Sequence, residues 1–247
     1  MKTSNHLLRR LTAALLAAVL ALSIALPVFA SDDGDTIYIN SVSDLLSLAK
    51  SCAYDQWSVG KTVILQKDLS LEGMLWEPIP SFSGQFKGNG HTISDLTITG
   101  QYSPAGLFGI VEEQGSIESL SVRGIVSVSD SADTTTGGIV GINHGTLINC
   151  QFTGVVTGDS EVGGIVGRNE SEGTIDHSTA RAIVTGKSST GGIAGYNLGA
   201  ITGCTNVGSI NTEYQEASLD TDGFTAKMVD QINNKMAAAD DDATNSV

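Results

Sequence analysis

Apolar and polar positions alternate in short bursts between glycines, and one such arrangement recurs three times. Within residues 137–210 stand GGIVGINHGTLINCQFTGVV, GGIVGRNESEGTIDHSTARAIV and GGIAGYNLGAITGCTNVGSI, beginning at Gly137, Gly163 and Gly191. The copies recur at 26 and 28 residues, and self-similarity at such a period marks a fold of stacked units. A degenerate earlier copy, AGLFGIVEEQGSIESLSVRGIV, begins at Ala105. Each copy predicts three short strands. The first carries Leu107-Phe108, Ile139-Val140, Ile165-Val166 or Ile193-Ala194; the second Ile117, Leu147, Ile175 or Ile201; the third ends at Val126, Val156, Val184 or Ile210. Stacked in register, these columns bury a continuous apolar interior, so the fold class is all-β, a parallel β-helix or β-solenoid.

The polar positions of the repeat have their own columns. Asn143, Asn169 and Asn197 fall six residues into their copies. They are expected to form a structural ladder at a turn, each amide bonding the next rung. Val111 holds that place in the early copy, where the ladder should stop. Ala182 stands where Gly124, Gly154 and Gly208 stand in the other copies, so that corner is not expected to need positive φ. Cys150 and Cys204 share a column with Ser178 between them. Rungs about 4.8 Å apart place the two thiols roughly 9.6 Å apart, beyond the ~7 Å Cα separation a disulfide spans. Small buried thiols are expected, not a bridge.

Upstream, residues 36–104 read as an N-terminal cap and the first coils. Thr36–Asn40 alternates like a strand, Ser41 and Asp44 form a capping box, and Leu45, Leu48, Ala49 and Cys52 recur at helical spacing to about Ala53. A helix there would close the open end of a solenoid. Lys61–Leu71 reads as one strand with Val63, Leu65 and Leu69 on one face. Gly73–Pro80 reads as a corner, with Trp76 as a packing residue and two prolines excluding a central strand. Gly88-Asn89-Gly90 signals a tight turn before a strand with Ile93, Leu96 and Ile98 in the core.

The two ends depart from this pattern. Lys2, Arg9 and Arg10 precede an apolar run from Leu11 to Leu26, then Pro27-Val28-Phe29-Ala30. This predicts a signal peptide over 1–30, cleaved after Ala30, followed by a flexible lead over 31–35. Export leads to a secreted or surface-associated location, with no membrane span once the signal is removed. Residues 105–214 hold the repeats. In 215–247, Phe224, Met228, Ile232 and Met236 are spaced by four behind a capping Asp222. They predict a C-terminal helix docking on or near the last coil, then an acidic disordered tail.

The words IYIN with SDLLSLAK, VILQKDLSL, WEPI, FSGQFKGNGHTISDLTI, AGLFG and the GGIVG repeats stand here in one order. In that order the chain resembles the GLUG-motif repeat β-solenoids of exported bacterial surface proteins, including regions that accompany immunoglobulin-cleaving metallopeptidases. The similarity covers roughly Thr36 to Ile210. It implies a parallel β-solenoid at the cell surface.

Charge narrows the partners. The chain carries 13 Lys+Arg against 27 Asp+Glu, a formal charge of −14; loss of Lys2, Arg9 and Arg10 makes it −17. Nucleic acid and anionic membranes attract basic patches, not such a chain. An extracellular glycan or protein is the expected partner class. No catalytic set, cofactor or metal site emerges. Glycoside hydrolysis needs two carboxylates at controlled separation, and Asp95, Glu118 and Asp176 read as scattered. Asp130, Asp133, Asp159 and Glu161 fall in inter-repeat loops without a calcium-loop pattern. His91, His144 and His177 share no repeat position and read as turn or surface residues. HExxH, GxSxG and phosphate-loop motifs are missing. The expectation is a non-catalytic surface scaffold for adhesion or spacing. The alternatives are a carbohydrate-active β-helix enzyme, a polysaccharide lyase or glycosidase, or an accessory region of a metallopeptidase system. Any activity is expected in what differs between copies, the loops Ser129–Thr136, Asp159–Val162 and Gly186–Thr190.

Overall fold

Period-2 alternation with glycine-marked corners gives strands too short to stand alone, and they are stabilised by stacking on the coil before and after. The computed structural model describes residues 35–54, 56–128 and 134–211. The chain divides into two compact units, Met1–Thr36 and Ile37–Val247. The expected signal peptide, the C-terminal helix and the acidic tail lie outside the described residues.

The described chain is a parallel β-solenoid of about six turns with one helix. β1 (Thr36–Ile39) leads into α1 (Val42–Ser51), then β2 (Thr62–Leu65), β3 (Leu69–Ser70), β4 (Ile79–Phe82), β5 (Gln85–Lys87) and β6 (Thr92–Gly100). The early repeat is β7 (Phe108–Val111), β8 (Ser116–Glu118) and β9 (Ser121–Val128). The next two coils are β10 (Thr135–Gly137), β11 (Val140–Asn143), β12 (Thr146–Ile148), β13 (Gln151–Thr157), and β14 (Glu161–Gly163), β15 (Val166–Asn169), β16 (Thr174–Asp176), β17 (Thr179–Thr185). The last described coil is β18 (Thr190–Gly191), β19 (Ala194–Asn197), β20 (Ala200–Thr202), β21 (Thr205–Asn206) and β22 (Ser209–Ile210).

Three long sheets and one short sheet form the walls. Their orders are β1-β2-β5-β8-β12-β16-β20, β4-β7-β11-β15-β19, β3-β6-β9-β13-β17-β21 with β22 also on β17, and β10-β14-β18. The repeat register is the one the sequence dictates. Val140 pairs Phe108 and Val166, Leu147 pairs Ile117 and Ile175, and Val156 pairs Val126 and Val184. Gly137, Gly163 and Gly191 are register partners.

Four expectations are corrected. Lys61–Leu71 is two strands, because the chain turns between Leu65 and Leu69 and crosses from the first sheet to the third. Val63, Leu65 and Leu69 all stay buried because the corner rotates the inward direction with the chain. The corner expected over Gly73–Pro80 ends inside β4, where Pro80 sits on a sheet edge that needs no donor from it. The inter-repeat loops end in strands β10, β14 and β18, too short and glycine-bearing to show alternation. Gly124, Ala182 and Gly154 are not at a corner at all but in the middle of β9, β17 and β13. Gly124 and Gly154 do adopt positive φ, 158° and 150°, and a β-carbon on Gly154 would collide with the Gly124 carbonyl oxygen.

The cap follows its sequence logic. Ser41 Oγ accepts from Asp44 N at 3.2 Å, and Asp44 Oδ2 accepts from Asn40 N at 2.9 Å. The Asn40 amide, and after it the Ser41 hydroxyl, hold the Asp44 carboxyl below the usual carboxylate range. Leu45, Leu48 and Cys52 are buried on the helix's inner side. Below lies an aromatic core of Phe82, Phe86 and Phe108, with ring centroids 5.4–6.3 Å apart in edge-on and tilted arrangements. Trp76 is buried, and its Nε1 donates to Leu107 O at 3.1 Å. Later coils replace these rings with Val, Ile and Leu. Phe152 is the exception, and its ring lies where a β-carbon on Gly138 would sit.

Candidate functional site

The polar columns decide what the stack can do. Asn143 and Asn169 are fully buried at the ends of β11 and β15. Asn143 Nδ2 donates to Asn169 Oδ1 at 2.7 Å, and Asn169 Nδ2 donates to Asn197 Oδ1 at 2.8 Å. The same amides reach back across the next corner: Asn143 to Gly145 O at 3.2 Å, Asn169 to Gly173 O at 3.1 Å, and Asn197 to Gly199 O at 3.1 Å. Gly145 N returns a bond to Asn143 Oδ1 at 3.2 Å. Val111 is the register partner of Asn143, so the row ends there as expected. These asparagines do not use left-handed geometry. They terminate strands, and their amides replace the backbone ladder at a corner.

The left-handed column is elsewhere. Ser119, Asn149, His177 and Gly203, each just after a strand of the first sheet, have φ of 53°, 53°, 46° and 62°. His177 is thus the turn residue expected, and its Nδ1 lies 2.8 Å from Asp176 Oδ1. The next residue in each corner points inward: Leu120, Cys150, Ser178 and Cys204. Cys150 N donates to Ser178 Oγ at 3.1 Å, and Ser178 N to Cys204 Sγ at 3.4 Å. All three cysteines are free thiols. Burial pushes the Cys150 thiol up to about 12 and Cys52 to about 11. Cys204, in the last described coil, is only half-buried, so of the column pair Cys150 and Cys204 the expectation of a buried thiol holds for Cys150.

The acids fall into groups the sequence reading separates incorrectly. Glu118 and Asp176 are both register partners of Ile148, so they share one outer column two rungs apart. Both stand 13 residues into their copies, counted from Ala105 and Gly163, behind four-residue corners. The alignment escapes because the copy between them has only His144 and Gly145 at that corner and puts Ile148 in the column. Their strands are roughly 9.6 Å apart, and Ile148 stands between. Glu161 pairs with Arg168, whose Nε is 2.6 Å from Oε2, and Arg168 also reaches Glu170 at 3.5 Å and stacks on the Tyr196 ring at 5.1 Å. Glu161 holds the Arg168 guanidinium firmly charged. Asp159 pairs with Lys187 at 2.6 Å. Asp95 accepts from Ser70 and Ser94 at 2.7 and 2.8 Å at a bulge in β6. Asp68 accepts from Thr92 N at 2.9 Å, the main cause of its lowered carboxyl, with His91 at 3.2 Å second. Asp130 and Asp133 lie outside the described residues. Among the described residues no group of three His, Cys, Asp or Glu is placed to hold a metal ion, and no helix is long and apolar enough to cross a membrane.

The third sheet contains the longest strands, β6, β9, β13 and β17, and presents a regular outer surface. Its outward columns run Ser121, Gln151, Thr179; Arg123, Thr153, Arg181; Ile125, Val155, Ile183; and Ser127, Thr157, Thr185. Sequence reasoning missed this surface because it sought repeated chemistry within each copy. The surface is built instead from positions that vary between copies.

Residues 158–185 match the family model of the GLUG motif. Over 155 residues the chain is 36% identical to halomucin of Haloquadratum walsbyi, covering 58% of this chain and 2% of that protein. It is 30% identical over 137 residues to a protein of Evansella cellulosilytica named as a candidate Gly-rich membrane protein, covering 40% of this chain and 16% of that one. The chain therefore spans a small part of either relative. A crystal structure of a candidate immunoglobulin A1 protease from Bacteroides ovatus superposes with a TM-score of 0.45 at 16% identity, covering 70% of this chain and 67% of that one. The chain is thus a parallel β-solenoid that carries a GLUG motif at residues 158–185, within the coil of β14–β17.

Proposed function

We propose that the chain is a non-catalytic, exported surface scaffold, a stiff β-solenoid that spaces or presents a binding face to an extracellular glycan or protein. The observation that carries this reading is the asparagine row. It is the most regular polar feature of the repeats, and its amides are spent on one another and on corner carbonyls. A polar row satisfied internally maintains a stack instead of contacting a ligand. Similarity to halomucin and to a protein named for a membrane location supports placement at the cell surface. The test is to express the chain in a bacterial host with residues 1–30 intact and treat whole cells with protease. Release or digestion from intact cells is expected; full protection inside the cytosol would overturn the surface reading.

The shared column of Glu118 and Asp176 favours a second reading, a carbohydrate-active enzyme. Inverting hydrolysis uses carboxyl groups about 6.5–9.5 Å apart, and two rungs lie at the outer limit of that window. Reducing-end release that Glu118→Gln or Asp176→Asn abolishes would replace the scaffold reading with this one.

A further inference from the structure

In a chain of formal charge −14, the strands β9, β13 and β17 contain no Asp or Glu. Their outer face carries instead two exposed arginines in one column. Thr153 is the register partner of both Arg123 and Arg181, so the cations stand two rungs, roughly 9.6 Å, apart. Neither makes an ion pair or side-chain hydrogen bond among the described residues. On one side runs the hydroxyl and amide column Ser121, Gln151, Thr179; on the other runs the aliphatic column Ile125, Val155, Ile183 and then Ser127, Thr157, Thr185.

We infer that this face binds an extended acidic polysaccharide lying along the stack, with an anionic group on every second sugar meeting Arg123 and Arg181. The inference deepens the scaffold reading, and rests on it, by naming the ligand class. A pyranose advances an extended chain by about one rung, so acids on alternate sugars recur at the spacing of the two arginines. The planar guanidinium accepts a carboxylate or sulfate in paired hydrogen bonds. Flanking hydroxyls match sugar hydroxyls, and the aliphatic column matches the apolar faces of the rings. Nucleic acid fits poorly, since its phosphates recur at about 3.4 Å along each strand and two cations cannot offset so dense a charge on an acidic protein. The track has an end. Asp68 lies within the field of Arg123, and Asp95 sits at the β6 bulge between the pairings Ile93↔Val122 and Leu96↔Gly124. A polyanion is therefore repelled from the first coils and runs from Arg123 toward Arg181.

The experiment is a titration of the protein with hyaluronan oligosaccharides, which carry a carboxylate on alternate sugars. Polygalacturonate, neutral chitin oligomers and duplex DNA serve as comparisons, with far-UV circular dichroism to confirm folding of each variant. Saturable hyaluronan binding that weakens with added salt is expected. Arg123→Gln and Arg181→Gln should each weaken it about three- to fivefold, and Thr153→Glu, which sets a carboxylate between the cations, should abolish it. No hyaluronan binding, binding unchanged in the double arginine variant, or equal preference for DNA overturns the inference. Chitin binding insensitive to the arginines also overturns it, yet leaves the scaffold reading intact. Degradation of hyaluronan would instead sink the scaffold reading while the arginine face stands.

Discussion

Asn169 is bonded on both sides of its column, accepting at Oδ1 from Asn143 Nδ2 at 2.7 Å and donating from Nδ2 to Asn197 Oδ1 at 2.8 Å. Asn143 has one such neighbour, because Val111 precedes it. Asn169→Val should therefore cost more than Asn143→Val. Each buried polar group left without a partner costs about 1–3 kcal/mol; the expected losses are about 3–5 kcal/mol for Asn169→Val and about 2–3 kcal/mol for Asn143→Val. Urea unfolding of the two variants checks the ranking, and equal losses would show that the ladder is not a cooperative row.

The buried thiols predict an alkaline weakening. Cys150 and Cys52 have folded values raised to about 12 and about 11, against an ordinary value of about 8.5. Their contribution is complete below the unfolded value. It is lost progressively as pH rises from there through the folded value, because only the unfolded chain ionises. Melting temperature measured from pH 7 to 10 should fall, and Cys150→Ala should flatten that slope. In the native protein at pH 8, a thiol reagent should modify Cys204 well before Cys150.

Gly154 and Ala182 are register partners with different tolerances. Gly154 has φ of 150°, and a β-carbon there would meet the Gly124 carbonyl oxygen. Gly154→Ala should destabilise by about 2 kcal/mol or more, whereas Ala182→Gly should cost about 1 kcal/mol or less. Thermal unfolding of the pair tests whether backbone approach, and not strand propensity, sets this column.

Ser119 holds a left-handed φ of 53° where Gly203 holds 62°. For a residue with a side chain that conformation costs roughly 1–2 kcal/mol, partly offset by the greater freedom of glycine in the unfolded chain. Ser119→Gly should raise stability by about 0.5–1 kcal/mol, and Ser119→Val should lower it. A melting temperature unchanged in both variants would remove the strain argument.

At the cap, Asp44 is held below the usual carboxylate range by Asn40 N and Ser41 Oγ. Its contribution is complete above the ordinary Asp value of about 3.9 and is lost as pH falls through the lower folded value. Asp44→Asn should destabilise at neutral pH, with the difference from the native chain narrowing toward pH 2. Parallel stability curves at pH 7 and pH 2 would rule this out.

Much of this architecture is legible in the chain, for a physical reason. A solenoid makes its long-range contacts between residues at equal places in successive copies, so aligning the copies predicts register. Val140, Leu147 and Val156 with their partners follow from that alone. The ladder is legible too, since Asn143, Asn169 and Asn197 keep one offset. What escapes are columns in which the middle copy carries another residue type. Glu118 and Asp176 share a column interrupted by Ile148, and Arg123 and Arg181 one interrupted by Thr153, the arginines mattering through the residues absent around them. The bend between Leu65 and Leu69 escapes for another reason: both flanking strands keep apolar residues at even spacing, so the pattern does not register the turn.

The asparagine corner carries one more consequence. Between the ladder residue and the next strand the chain has two residues after Asn143 and Asn197 but four after Asn169. In each case the amide bonds the carbonyl of the last one, Gly145, Gly199 or Gly173. The side chain thus acts as a punctuation mark that restarts the frame on every turn. Length differences are absorbed at that one point and do not propagate into the strands beyond. Peptides grafted between Asn169 and Gly173 would then be displayed from the edge of the rod while its lattice stays in step.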